Sequence, residues 1–465
     1  MITLTTGLLV LLIACLFAVC VFEFINGFHD TANAVATVIY TGTLKPVHAV
    51  IWSGVWNFIG LMTGGIAVAM GISSLLPTEI LIQQDIHQNV AMVLAALTAA
   101  IIWNLGTWYM GIPCSSSHTL IGSLLGVGMV FSMLPENTAG VGVNWQKAKD
   151  IGMSLLVSPL FGFSLAIILM FILRSVIESK EIFKEPVEGS KPPLWIRGLL
   201  IFTCTAVSWA HGSNDGQKGL GLALLILMAF LPLQYALAPD FNPTRASDAI
   251  QTIEQTLVRA GAGNIAENEM NKTVETIASL KAEINAFRPD DAKQKFAIRK
   301  RIQLMYKKID VLLKEPAIFE NANDKKIISR NLKELKGYTE WSPIWLKFMI
   351  ALSLGIGTMI GWKRIVITIG EKIGKRHMTY AEGASAELVA ASTIYVSTQF
   401  GLPVSTTHVL SSGVAGAMVA SKGVKNLQKG TVKNMVTAWV LTLPVTILLS
   451  AILFMVFRFI VQMVV

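Results

Sequence analysis

The chain has 465 residues, 53% of them hydrophobic and only 14% charged. Soluble domains carry about a quarter of their residues as charges, and no soluble core could hide the many apolar runs found here, each long enough to approach or exceed a bilayer's thickness. The formal charge of +9 does not point to nucleic acid, because most basic residues sit in loops beside the apolar runs, where the positive-inside bias puts them.

The first apolar run, residues 8–21 extended on both flanks, has no basic residue before it and ends at Glu23. It therefore reads as a first transmembrane segment and not as a signal peptide. It leads into GFHDTANA at 27–34. Further runs follow at 47–71 and 90–109, then GIPCSSSHTLIGS at 111–123 and a run at 151–173. A second Asp motif, GSNDGQKG at 212–219, opens the run at 219–237. Residues 241–342 are hydrophilic, with 18 Lys/Arg and 14 Asp/Glu, and stretches such as 293–313 predict amphipathic helices. Beyond them lie Glu387, GLPVSTTHVLSSG at 401–413 and a last run at 432–457. Cys15, Cys20, Cys114 and Cys204 form no C-x-x-C pair and read as packing residues, with no disulfide framework and no metal site.

The motifs come in two matched pairs, Gly-x-x-Asp followed by Gly-aliphatic-Pro-x-(Ser/Thr)3-His. Asp30 and Ser115 are 85 positions apart, Asp215 and Ser405 are 190 apart, and the excess of 105 is close to the 102 residues of the hydrophilic segment. A duplicated unit with one soluble insertion is the simplest account. The expected architecture is an all-α polytopic membrane protein with two inverted repeats, broken helices and two re-entrant hairpins, plus a small helical soluble insertion. Residues 1–175 form the first repeat, 195–240 and 343–465 the second, and 241–342 the insertion. Basic loops at 174–197, 363–376 and 422–433, against an uncharged-by-Lys/Arg loop at 73–89, place the former in the cytoplasm. In that topology each Asp motif lies in a broken segment, each Ser/Thr-His motif tips a re-entrant hairpin, and both termini and the insertion face outside.

Charged and polar groups at membrane depth are costly and usually line a cavity or pathway. Here they are Glu23, Asn26, His29, Asp30, Asn33, Asn104, His118, His211, Asn214, Asp215, Gln217, Lys218, Glu387 and His408. Pro113 and Pro403 suit helix starts, after which Ser115, Ser116 and Ser117, and Ser405, Thr406 and Thr407, supply hydroxyls and capping oxygens. Two such helix N-termini meeting at the midplane would suit a tetrahedral oxyanion. Asp30 and Asp215 would repel that anion, so the site needs protons, Na+, a bound metal or Lys218, which is the physical basis of coupled transport. His29, His118, His211 and His408 are candidate proton carriers.

At these residues the chain resembles the PiT family of inorganic phosphate transporters, and within it the bacterial low-affinity PitA-type branch. The matches are 27–34, 212–219, 113–118 and 403–408, in the family's order and across the whole membrane part. The resemblance implies proton-coupled import of phosphate across the bacterial inner membrane, alone or as a neutral metal-phosphate complex, by a homodimer without cofactors. It also implies that Asp30, Asn33, Asp215 and the hydroxyls of 115–117 and 405–407 bind phosphate and cations. Glu387 matches a glutamate of the family's second hairpin. Glu23, His29, Asn214, Lys218, His118 and His408 complete the expected cation-coupling set. Two departures bear on coupling: His29 replaces the motif Asn, and Lys218 stands where the first half has Asn33, in the place of a cation. The alternatives are Na+ coupling and a sulfate permease of the same fold. An intramembrane serine hydrolase lacks the G-x-S-x-G elbow, and a passive channel would not accumulate its ion.

Overall fold

Apolar runs in a membrane must satisfy every backbone group internally, so they form helices. The computed structural model describes residues 4–76, 86–135, 137, 142–187, 190–261, 267–314, 319 and 321–464. Most of the 73–89 loop used for orientation lies outside the described residues.

The larger of two compact units holds 4–226 and 343–465. Its first half runs through α1 (Thr6–Tyr40), α2 (Pro46–Thr63), α3 (Ala67–Ser73), α4 (Ile86–Tyr109), α5 (Ser116–Ser132) and α6 (Trp145–Val176). Its second half begins with α7 (Leu194–Phe230). The helices α1, α4 and α6 are each long and apolar enough to cross a membrane, and α2 with α3 reaches that length and apolarity only as a pair, bent by 77° at its break. The run expected at 219–237 is no separate helix, because residues 219–230 continue α7.

The smaller unit, 227–342, is a bundle of α8 (Pro243–Gly261), α9 (Glu267–Asn285), α10 (Ala292–Lys314) and α11 (Ala322–Thr339). Residues at helical spacing, such as Ile298, Ile302, Met305 and Ile309 on α10 and Ile328, Leu332 and Leu335 on α11, fill one apolar core. Arg299 is buried, and one guanidinium nitrogen donates to the Ala236 carbonyl at 3.0 Å. Burial pushes this guanidinium down to about 10, against the pull of Glu340.

The larger unit resumes with α12 (Ile344–Met359), α13 (Lys363–Glu371), α14 (Tyr380–Gln399), α15 (Thr406–Lys422) and α16 (Lys429–Val464). Its burial pattern is that of a membrane protein. Met153, Leu156 and Leu160 on α6, and Leu448, Ile452 and Met455 on α16, are exposed, whereas Lys218 is among the largest fully buried side chains.

Corresponding elements of the two halves make corresponding contacts, and these contacts are exchanged between halves. A Cβ on Gly27 of α1 would lie 2.3 Å from the Leu354 carbonyl of α12, and one on Gly212 of α7 would lie 2.0 Å from the Asn57 carbonyl of α2. The same two crossings are sealed from the other side: Gly357 abuts the Phe24 carbonyl and Gly60 the Trp209 carbonyl. The bare glycines let the backbones touch. Likewise α5 packs on α16 and α15 packs on α6.

One sequence expectation is corrected here. The Asp motifs lie inside the unbroken helices α1 and α7, not in broken segments. Their glycines serve close helix crossings, and the carboxylates reach their partners as side chains without needing freed backbone. The breaks fall one helix later, at 64–66 between α2 and α3 and at 360–362 between α12 and α13, where Gly361 has φ +73°.

A methyl group at the tightest crossing has no room. Gly212→Ala should destabilise the protein by about 2–3 kcal/mol. Gly198→Ala on the same helix meets nothing within 4 Å and should be neutral or better. Thermal unfolding of the two purified variants in detergent distinguishes them, and equal melting temperatures would contradict the crossing.

Candidate functional site

The site is assembled at two matching helical hairpins. After α4 the chain closes its helix with Ile112 N–H donating to the Thr107 carbonyl, and after α14 Leu402 N–H donates to the Ser397 carbonyl, both at 3.0 Å. Gly111 at φ +67° and Gly401 at φ +65° take the left-handed position this closure requires. The following helices start at Ser116 and Thr406, three residues past Pro113 and Pro403. The prolines therefore stand ahead of the helix starts that sequence placed on them. Ser115 and Ser405 are the N-caps, their Oγ atoms accepting the amides of His118 at 3.2 Å and His408 at 3.1 Å. The two tips touch: Ser117 Oγ donates to the Val404 carbonyl at 2.7 Å, and the His118 and His408 rings lie 4.6 Å apart.

Against these tips lie the two aspartates, both buried. Asp30 Oδ1 accepts from Asn33 Nδ2 at 2.9 Å and from the Thr407 hydroxyl. Ser116 Oγ lies between the carboxylates, 3.3 Å from Asp30 Oδ2 and 3.4 Å from Asp215 Oδ2. His211 Nε2 is 3.5 Å from each of those oxygens, and its Nδ1 is 2.7 Å from Asn57 Oδ1. Lys218 Nζ donates to Asp215 Oδ2 at 2.5 Å, Ser117 Oγ at 2.6 Å and Ser116 Oγ at 3.2 Å. Each aspartate is thus held by the hairpin of the other half, Asp30 by Thr407 of α15 and Asp215 by Ser116 of α5.

Of the nine side chains expected to bind substrate, the structure joins Asp30, Asn33, Ser116, Ser117, Asp215 and Thr407 in one hydrogen-bonded cluster. Ser115 and Ser405 cap beside it, and Thr406 follows the Ser405 cap. Thr406 Oγ1, Asn33 Oδ1 and Asp215 Oδ1 are buried with no protein partner. A buried polar atom left unpaired costs free energy, so these three atoms mark where a ligand's groups would be accommodated. The amides at the first turns of α5 and α15 precede any intrahelical acceptor and favour an anion.

The expected coupling residues divide. Lys218 belongs to the cluster. Glu23 accepts from Asn26 Nδ2 at 3.1 Å and from the Gly219 amide at 2.8 Å. His29 Nε2 is 3.2 Å from Thr107 Oγ1. Asn214 secures the second hairpin, donating to Thr398 Oγ1 at 2.8 Å and to the Leu402 carbonyl at 3.3 Å. Glu387 accepts from Thr203 Oγ1 at 2.5 Å. None of these four side chains makes a direct hydrogen bond to either aspartate. Among the candidate histidines it is His211 that reaches both carboxylates. Its position four residues before Asp215 puts it on the same helix face. Asn57, its partner, sits in an apolar run without a motif, and no sequence signal singled it out.

Buried carboxylates, hairpin tips exchanged between halves and a lipid-facing apolar surface are the features of a multi-pass membrane transport protein. The Ser115–His118 contact, Oγ to Nδ1 at 2.8 Å, is part of a helix cap and not a nucleophile–base pair. Residues 26–450 match the model of the phosphate transporter family, and the chain belongs to that family. It is 40% identical to the low-affinity inorganic phosphate transporter PitA of Escherichia coli K12, over 96% of each chain. It is 38% identical to PitB of the same strain, again over 96% of each. A probable low-affinity inorganic phosphate transporter of Bacillus subtilis is 31% identical, over 97% of this chain and 99% of the relative. A solved structure named the sodium-dependent phosphate transporter shares the fold, with a TM-score of 0.56 at 18% identity, covering 97% of this chain and all of that one.

The unpartnered hydroxyl separates binding from folding. Thr406→Val, isosteric but without the hydroxyl, should leave the melting temperature unchanged, because no protein hydrogen bond is lost. Ser405→Ala, which removes a cap, should cost about 1 kcal/mol. Thermal unfolding in detergent checks both, and a large loss for Thr406→Val would show that the hydroxyl is already engaged in the protein.

Proposed function

We propose that this chain imports inorganic phosphate by symport with protons, working by alternating access between its two halves in the bacterial inner membrane. The observation that carries the proposal is the convergence of two matched helix N-termini, with their hydroxyls, on two buried aspartates. The helix starts and hydroxyls supply donors to an oxyanion. The carboxylates oppose it unless cations accompany it, which couples the movement of one to the other. His211, close to both carboxylates, is the side chain best placed to carry a proton between them.

The acceptor atoms favour phosphate over sulfate. Asp215 Oδ1 and Asn33 Oδ1 lack partners, and phosphate near neutral pH retains a proton with which to donate to such atoms, whereas sulfate does not. A neutral metal-phosphate complex also fits. Asp30, His211 and Asp215 offer three ligand atoms within 4.8 Å of one another, a donor set suited to a divalent ion travelling as part of the cargo. The proposal includes inverted halves, termini and insertion outside, and a homodimer; these rest on the charge of the loops and on the family resemblance.

Uptake of radiolabelled phosphate into proteoliposomes tests it. An inward proton gradient, with no Na+ present, should drive accumulation that excess sulfate does not suppress. Thr406→Val should weaken the apparent affinity about 10- to 100-fold, the value of one hydrogen bond to a charged ligand. No phosphate uptake under any gradient, or uptake suppressed by sulfate, would overturn the proposal.

A further inference from the structure

The two halves of the site match in position but not in charge. Asp30 and Asp215 correspond, as do Ser117 and Thr407, each third in its Ser/Thr cluster. Three residues after each aspartate stand Asn33 and Lys218. In the first half, Asn33 Nδ2 donates to Asp30 Oδ1 at 2.9 Å and to Thr407 Oγ1 at 3.2 Å. In the second, Lys218 Nζ donates to Asp215 Oδ2 at 2.5 Å and to Ser117 Oγ at 2.6 Å. The same bridge, from one half's carboxylate to the other half's hydroxyl, is closed once by a neutral amide and once by an ammonium.

The ammonium's surroundings are those of a bound cation. Lys218 is wholly buried, and its Nζ meets three oxygens, from Asp215, Ser116 and Ser117. Asn33 is bonded instead to the neutral Thr407 hydroxyl and to Asp30, whose other oxygen lies 3.5 Å from His211 Nε2, and its own Oδ1 is buried without a protein partner. A carboxylate beside an unpaired amide oxygen is a place a mobile cation can enter, and in the second half that place is filled by the chain itself.

We infer that Lys218 is a tethered cation that permanently fills one of two equivalent cation seats, so that transport here requires one mobile monovalent cation fewer than a protein with asparagine in both halves. This deepens the symport reading above and rests on it. Lys218 is then a residue that sets coupling specificity: it makes the second half indifferent to Na+ or K+ while the first half remains open to the ion that moves with phosphate. Replacing it by the first half's residue should create a demand for a cation from solution, since removing one partner of a buried ion pair leaves the other charge uncompensated.

The test is phosphate uptake into proteoliposomes under a fixed inward proton gradient, comparing choline, K+, Na+ and Li+ as the bulk cation. Wild-type uptake should change less than about 2-fold among them, as expected for a seat that no solution ion can enter. Lys218→Asn should lose at least about 30-fold in choline, the scale of an uncompensated buried charge, and recover most of it with one of the small inorganic cations. Lys218→Ala, which leaves a larger void, should be rescued by methylammonium. A residue needed only for packing would show neither ion selectivity nor amine rescue. The inference is overturned if both variants, chromatographing as the wild type does, ignore the added cation, whether active or inactive. Failure of the symport reading is distinct, because the wild type would then take up no phosphate in any salt.

Discussion

Two carboxylates buried against each other are the constraint from which the rest of this site follows. Asp30 and Asp215 share a small volume with Ser116 and His211 between them. Charges removed from water are tolerated only when paired and hydrogen-bonded. The structure meets that demand from both halves: Asp30 is met by Thr407 from across the interface and by Ser116 of its own half, and Asp215 by Ser116 from across the interface and by Lys218 of its own helix. Neither carboxylate is served by its own half alone. A site divided in this way is sensitive to any movement of one half against the other, which is the property alternating access requires.

The glycines serve the same end. Gly27, Gly60, Gly212 and Gly357 bring α1 against α12 and α7 against α2 with backbone touching backbone. These crossings support the Asp-bearing helices at the level of the motifs themselves. Gly111 and Gly401 then turn each hairpin so that a capped helix start faces the carboxylates. Rigid helices carry the charges, and turned helix ends present the hydroxyls and amides.

Much of this was legible in the sequence because each motif occurs twice. The Asp motifs, the Ser/Thr clusters and the amphipathic helices of the hydrophilic segment follow from residue type and spacing, whereas the helix starts fall three residues beyond the prolines, with Ser115 and Ser405 as the caps. Three things were not legible. Helix continuity through the Asp motifs was hidden, because glycine reads equally as a break or as a close crossing, and only the partner helix decides. The role of Asn57 depends on a crossing between α2 and α7 that local sequence does not encode. The exchange of partners between halves is likewise tertiary: Lys218 stands out as a replacement for Asn33, yet its contact with Ser117, about a hundred positions earlier, could not be read from either motif alone. Glu23 and Glu387 show the converse, buried carboxylates that sequence grouped with the site and that the fold bonds to Gly219 and Thr203.

The most direct test of the central claim, that one oxyanion sits where the two hairpin tips meet the aspartates, is an electron cryomicroscopy map of the protein in saturating phosphate, compared with a phosphate-free map. The account predicts new density within hydrogen-bonding distance of Thr406 Oγ1 and of the first-turn amides of α5 and α15. Phosphate density elsewhere in the chain, with the space beside Thr406 unchanged, would contradict it.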